Sequence, residues 1–106
     1  MPLSAEDKKR AASFSMGYTT TAVPTYLADF YELPAGDYVK RVLNSSLAKS
    51  AGLQKGDVIT YYGMLDATLP YSLDYCKLAL ADGYPVEVTF WRDGEIMTTH
   101  FEPPAK

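Results

Sequence analysis

Two side chains in this sequence could serve as a nucleophile and its base: the single cysteine, Cys76, and the single histidine, His100. A Cys–His pair needs a third group to orient the base and donors to hold an oxyanion. The sequence offers neither. Cys76 falls on an apolar flank of a predicted helix, where a cysteine is a small buried hydrophobe. His100 stands beside Phe101 on a predicted strand, without the companions a metal site requires. No catalytic residue, metal or other cofactor is expected. Attention therefore moves to the nine tyrosines, half-buried recognition surface or core, and to the elements that arrange them.

A chain of 106 residues makes one domain. A hydrophobic content of 47% with 13% aromatics supplies a packed core rather than a disordered chain. A net charge of -3 excludes the basic footprint of a nucleic-acid binder. The run Lys8-Lys9-Arg10 has no aromatic-rich basic face behind it. No apolar run approaches bilayer length, so no membrane insertion is expected of this segment. One cysteine rules out an internal disulfide, and packing must hold the fold.

Residues 1–12 are polar and charged and read as a flexible lead or linker remnant, followed by a domain over 13–103. Phe14 to Tyr18 alternates apolar and small residues and continues into Thr19, Thr20 and Thr21, whose branched side chains favour extended backbone. This reads as a strand interrupted or bulged at Gly17. From Thr25 to Leu33, Tyr26, Leu27, Phe30 and Leu33 recur at helical spacing before Pro34. Tyr38 to Leu43 is a strand. Pro70 and Gly83 bracket a second helix from about Tyr71 to Ala81. Val86, Val88 and Phe90 alternate with polar residues, and Asp93-Gly94 signals a hairpin to a last strand over 95–101.

Between these elements lies the densest run of instructions, Ser46 to Ile59. Ser45 or Ser46 can cap a short helix. Leu47, Ala48 and Ala51 give that helix an inner face. Gly52 suits a left-handed C-terminal position, with Leu53 folding back over the last turn. Lys55-Gly56-Asp57 makes a second turn into the strand Val58 to Tyr62. The order predicts an α+β domain: a partial barrel or sandwich of about five to six short strands, capped by two main helices and one short one.

The pattern Ala48-x-x-Ala51-Gly52-Leu53-x-x-Gly56-Asp57-Val58-Ile59-x-x-x-Gly63, with the later helix and the Val86–Gly94 segment, resembles a PDZ domain. The element order is similar to the circularly permuted type of bacterial and organellar serine proteases of the high-temperature-requirement class. Tyr62-Gly63 departs from the Asn-Gly common at that place in the family. The resemblance implies a non-catalytic module that binds the C-terminal or extended segment of a protein by adding it as a strand. It also implies a loop of apolar-Gly-apolar pattern whose N–H groups hold the ligand's carboxylate, best matched by Met16-Gly17-Tyr18. Glycine there lets successive N–H groups converge on one anion.

On that resemblance, Thr19 and Thr20 form the strand edge that pairs with the peptide. Leu73, Cys76, Lys77 and Leu80 supply the opposite wall, with the choice between Cys76 and Lys77 left open by one residue of register. No histidine starts the helix, so apolar ligand side chains are expected. The implied role is substrate recognition or regulation within a larger protease, which would place it in the cell envelope, periplasm or an organelle. Two rivals stand beside it: a scaffold or secretion-apparatus domain that binds a folded partner, and a hydrolase using Cys76.

Overall fold

The structure is a computed structural model that describes residues 3–104. The first element is a helix, α1 (Ala5–Ser13). It is begun by the Ser4 hydroxyl, which accepts from the Asp7 N–H at 3.1 Å. The segment expected as a flexible lead or linker remnant is thus largely helical over its described part. Ala11 is fully buried, Arg10 pairs with Asp82 at 2.7 Å, and Lys8 lies over the Tyr71 ring. A polar segment can hold a helix when one small apolar residue docks and its charges find partners elsewhere; residues 1 and 2 of the expected lead lie outside the described residues.

Nine elements follow. They are β1 (Tyr18–Val23), α2 (Thr25–Tyr31), β2 (Gly36–Val42), α3 (Leu47–Ser50) and β3 (Val58–Tyr62), then β4 (Leu65–Asp66), α4 (Ser72–Ala81), β5 (Val86–Arg92) and β6 (Glu95–Phe101). The sheet runs β1-β2-β3-β5-β6, with β4 paired to β3 off the main path, and each pairing is antiparallel. The expected α+β architecture is present, with α1 as an additional helix. β1 starts at Tyr18, so Phe14 to Gly17 forms a loop where a strand was expected. The bulge lies further on, between Thr19 and Thr20.

The Ser46–Ile59 run folds as its residue types dictate. Ser46 caps α3, its hydroxyl accepting from the Lys49 N–H at 3.1 Å. Gly52 has φ 86° and Gly56 φ 96°, with open space where either Cβ would stand. These are left-handed turns that glycine adopts at little steric cost. Asp57 is buried to 1% exposure and is compensated on three sides. Its carboxylate accepts from the Gln54 N–H at 2.9 Å and from the Arg92 guanidinium at 2.8 and 2.9 Å. Arg92 also donates to the Gly52 carbonyl. One charge pair thus ties the turn to β5. Beneath it the core gathers Val39, Ala48, Leu53, Ile59, Leu80, Val88 and Phe101.

The two main helices differ sharply. In α4, Ser72, Cys76 and Leu80 recur every four residues and are buried, the spacing that stacks side chains on one face. In α2, the apolar residues at helical spacing face solvent: Tyr26 is 72% exposed and Phe30 78%. Its buried residue is Ala28. The periodicity located the helix, which ends at Tyr31, two residues before the expected end, and its apolar spacing does not mark a buried face.

Candidate functional site

Among the described residues, β1 has β2 on one side and no strand on the other, so one row of its backbone groups forms an open edge. At the head of that edge lies a cavity of about 340 Å³. Its floor is the segment Phe14 to Thr20, and Ala12 and Ser13 at the end of α1 close one side. Leu43, Leu73 and Lys77 supply the remaining wall.

The loop entering β1 has an unusual distribution of hydrogen bonds. The Met16 carbonyl accepts from the Ala48 N–H at 3.1 Å, and the Gly17 carbonyl accepts from the Leu43 N–H at 2.8 Å. Both peptide bonds are trans, so each carbonyl opposes the N–H of the next residue. Fixing the two carbonyls inward therefore turns the Gly17 and Tyr18 N–H groups outward, toward the open edge. Among the described residues, neither the Met16 nor the Gly17 N–H has an acceptor. Buried or half-buried donors are ordinarily paired, and a short run of free ones makes an anion-binding concavity.

Gly17 is required here on two counts. Its φ is 79°, and a Cβ would stand 2.0 Å from the Ser46 Cβ and 2.6 Å from its hydroxyl oxygen. No side chain fits between the loop and the start of α3. The loop is thus pressed against the very segment whose sequence pattern is clearest.

The next residue anchors the strand. Tyr18 stacks on Phe101 with ring centroids 6.0 Å apart. Its hydroxyl lies 2.9 Å from that of Tyr62. Tyr62 donates to the Asp37 carboxylate at 2.9 Å, which leaves Tyr18 to donate to Tyr62. Burial raises both phenols well above their ordinary pKa. Burial also raises the Asp37 carboxyl, with the Tyr62 hydroxyl partly offsetting it. These groups serve as a relay of hydrogen bonds that fixes β1 over the core.

Of the residues singled out from the sequence, Met16, Gly17, Tyr18, Thr19, Thr20, Leu73 and Lys77 line this one cavity. Leu73 and Lys77 share a helix face four residues apart. Cys76 and Leu80 face the core instead, at 3% and 1% exposure. The structure therefore settles the helix register in favour of Lys77 as the residue at the cavity. Burial pushes the Cys76 thiol up to about 12, with Lys77 acting weakly against it. A thiol so protonated is a poor nucleophile. His100 lies on exposed β6, 3.8 Å from the Glu87 carboxylate, and shares no hydrogen bond with Cys76 among the described residues.

Ala12, Ser13, Phe14, Ser15 and Leu43 also line the cavity, and sequence reasoning did not identify them. Leu43 could have been found, because it directly follows the strand that pairs with β1. Ala12 and Ser13 enter only through the packing of α1, which no local pattern announced. Among the described residues, no cluster of three or more His, Cys, Asp or Glu could hold a metal, and no helix is long and apolar enough to cross a membrane.

No known sequence-family model matches the chain, and no curated protein matches it. Solved structures do. The HtrA3 PDZ domain bound to a phage-derived ligand (FGRWV) is similar with a TM-score of 0.71 at 21% identity, over 87% of this chain and 86% of that one. The HtrA-type protease AlgW with a decapeptide is similar with a TM-score of 0.63 at 24% identity. There the match covers 87% of this chain and 30% of the protease chain. The PDZ domain of EpsC from Vibrio cholerae gives 0.58 at 20% identity, over 82% and 78%. The chain has the fold of a PDZ domain, and its likeness extends to domains of HtrA-type proteins.

Proposed function

We propose that this protein is a peptide-binding module that captures the C-terminal segment of a partner by strand addition along β1. The observation that carries the reading is the loop at Met16-Gly17-Tyr18. The Met16 and Gly17 carbonyls are tied to Ala48 and Leu43, which turns the Gly17 and Tyr18 N–H groups toward an open strand edge. A terminal carboxylate placed there would accept several N–H bonds at once, each strengthened by its charge. The next ligand residues would continue along Thr19 and Thr20. Phe14, Leu43 and Leu73 supply apolar wall for the ligand's last side chain, and Lys77 adds a cation at the rim. Apolar side chains are favoured in that pocket.

Two similar structures hold peptides, the HtrA3 PDZ domain and AlgW, which supports substrate recognition or regulation within a larger protease. A second reading is a scaffold or secretion-apparatus domain that binds a folded partner; it sits beside the likeness to the PDZ domain of EpsC, whose structure is not described with a peptide. A short peptide ending in an apolar residue separates them. Its free-acid form should bind in the micromolar range or weaker, because the extended chain must be ordered on binding. Its C-terminal amide should bind at least about tenfold more weakly. Equal affinity of acid and amide would reject carboxylate capture.

A further inference from the structure

α2 starts directly beyond the far end of β1, after Pro24. It exposes Tyr26, Phe30 and Tyr31, at 72%, 78% and 62%. The Phe30 and Tyr31 rings meet edge to face at 4.9 Å. Asp29 and Glu32 lie in the same exposed stretch. Between Arg10 and Lys40 the chain carries Asp29, Glu32 and Asp37 and no basic residue. A second cavity, of about 350 Å³, lies at this end of the strand. Val23, Pro24 and Thr25 line it on one side, and Asp37 and Leu69 are among the residues opposite.

The strand is consequently polarised. At its head, Lys77 lines the first cavity and Arg41 stands opposite Thr19. At its far end, Asp37 stands opposite Ala22, and α2 follows with its two acids. A peptide antiparallel to β1, with its carboxylate at Met16 to Tyr18, runs backward toward α2. At about 3.3 Å per residue, its residues some five to seven places before the end arrive beside Val23 and α2.

We propose that α2 and the second cavity form an upstream subsite for basic residues, Lys or Arg, about five to seven places before the ligand's C-terminus. This rests on the peptide-groove reading above. The chemistry of the face selects a cation twice: ring faces attract ammonium and guanidinium groups, and Asp29 and Glu32 attract their charge. A polar groove of this sense accepts an anionic terminus at one end and a cationic arm at the other. It also sets the direction in which the ligand lies.

The test compares two nine-residue peptides that share the same four apolar C-terminal residues, one with an Arg-Lys arm and one with a Glu-Ser arm. A four-residue peptide without an arm serves as the reference. Binding is read by fluorescence anisotropy at low and high salt. The protein should prefer the basic arm by about fivefold at low salt, less at high salt. The double variant Asp29→Lys/Glu32→Lys should invert the preference and bind the four-residue peptide unchanged. Both positions are exposed, and circular dichroism checks that the variant folds. Phe30→Ala should reduce the preference without inverting it. Equal binding of the two arms to the unaltered protein overturns the proposal, as does self-association of the free protein that Phe30→Ala abolishes. If the four-residue free acid binds neither protein, the groove reading itself fails. If it binds both and the arms make no difference, only the upstream subsite fails.

Discussion

Two glycine-bearing segments touch each other in this molecule and have opposite characters. The Ser46–Asp57 run has most of its N–H groups paired, chiefly within itself, with Ala48 and Gly56 donating outward to Met16 and Val39. Gly52 donates to Lys49, Leu53 to Ala48 and Gln54 to the Asp57 carboxylate, and Arg92 covers the Gly52 carbonyl and the buried acid. In the Met16–Tyr18 loop the Met16 and Gly17 carbonyls are held, by Ala48 of the other segment and by Leu43 just past β2, while among the described residues the Met16 and Gly17 N–H groups have no acceptor. A self-satisfied segment stabilises a fold and offers a ligand little. A half-satisfied one binds, because its desolvated donors gain most from an incoming acceptor.

Removing the central charge of the first segment should have the largest effect. Asp57→Ala leaves the Arg92 guanidinium and the Gln54 N–H without their acceptor. We expect a loss of about 3 kcal/mol in urea unfolding, with peptide affinity within about twofold where the protein stays folded. A comparable loss of affinity in the folded variant would break the division between the two segments.

Gly17→Val acts on the second segment. It demands a left-handed backbone of a branched residue and drives a Cβ into Ser46, so the loop must move. Affinity should fall by about thirtyfold or more, near 2 kcal/mol, measured by calorimetry on the folded fraction. Gly17→Ala should be milder, and Ser46→Gly beside it should recover part of the loss by removing the clashing atoms. Unchanged binding by Gly17→Val would detach the loop from the site.

Gly52→Ala sharpens the contrast. Here φ is also left-handed, but nothing stands within 4 Å of the new Cβ. The expected cost is about 1 kcal/mol of backbone strain with affinity unaltered. The smallest effect belongs to Cys76. Its thiol, raised from the ordinary 9.0 to about 12, should resist alkylation at pH 8 until denaturant is added. The native state holds that proton more tightly than the unfolded chain. Stability should therefore be unaffected by this group below pH 9 and should fall as pH rises through that interval.

The same contrast explains what could be read before the structure. Gly52, Gly56, Asp57 and the caps around them act locally, and each leaves a residue-type signature at a fixed offset. Met16-Gly17-Tyr18 leaves a weaker one, since a glycine between apolar residues also fits a bulge. What makes it a site is contact with Ser46, Ala48 and Leu43, about thirty residues away. α4 was legible as a helix, but of the four residues expected on its groove wall only Leu73 and Lys77 line the cavity, while Cys76 and Leu80 pack against the core. α1 was missed because its charges mask a single docking alanine, Ala11. α2 was legible as a helix, but its apolar stripe at Tyr26 and Phe30 is exposed, since periodicity reports a stripe and not what covers it.

The most direct test of the central claim is the response of individual backbone amides to a ligand's carboxylate, read by nuclear magnetic resonance. Titration with a free-acid apolar peptide should move the Met16, Gly17 and Tyr18 amide protons strongly downfield, as expected for new charge-assisted hydrogen bonds. The Gly52 and Gly56 amides should stay where they are. The C-terminal amide of the same peptide should lose most of the shift at the first three. Equal shifts from acid and amide, or shifts centred on Gly52 and Gly56, would contradict the account.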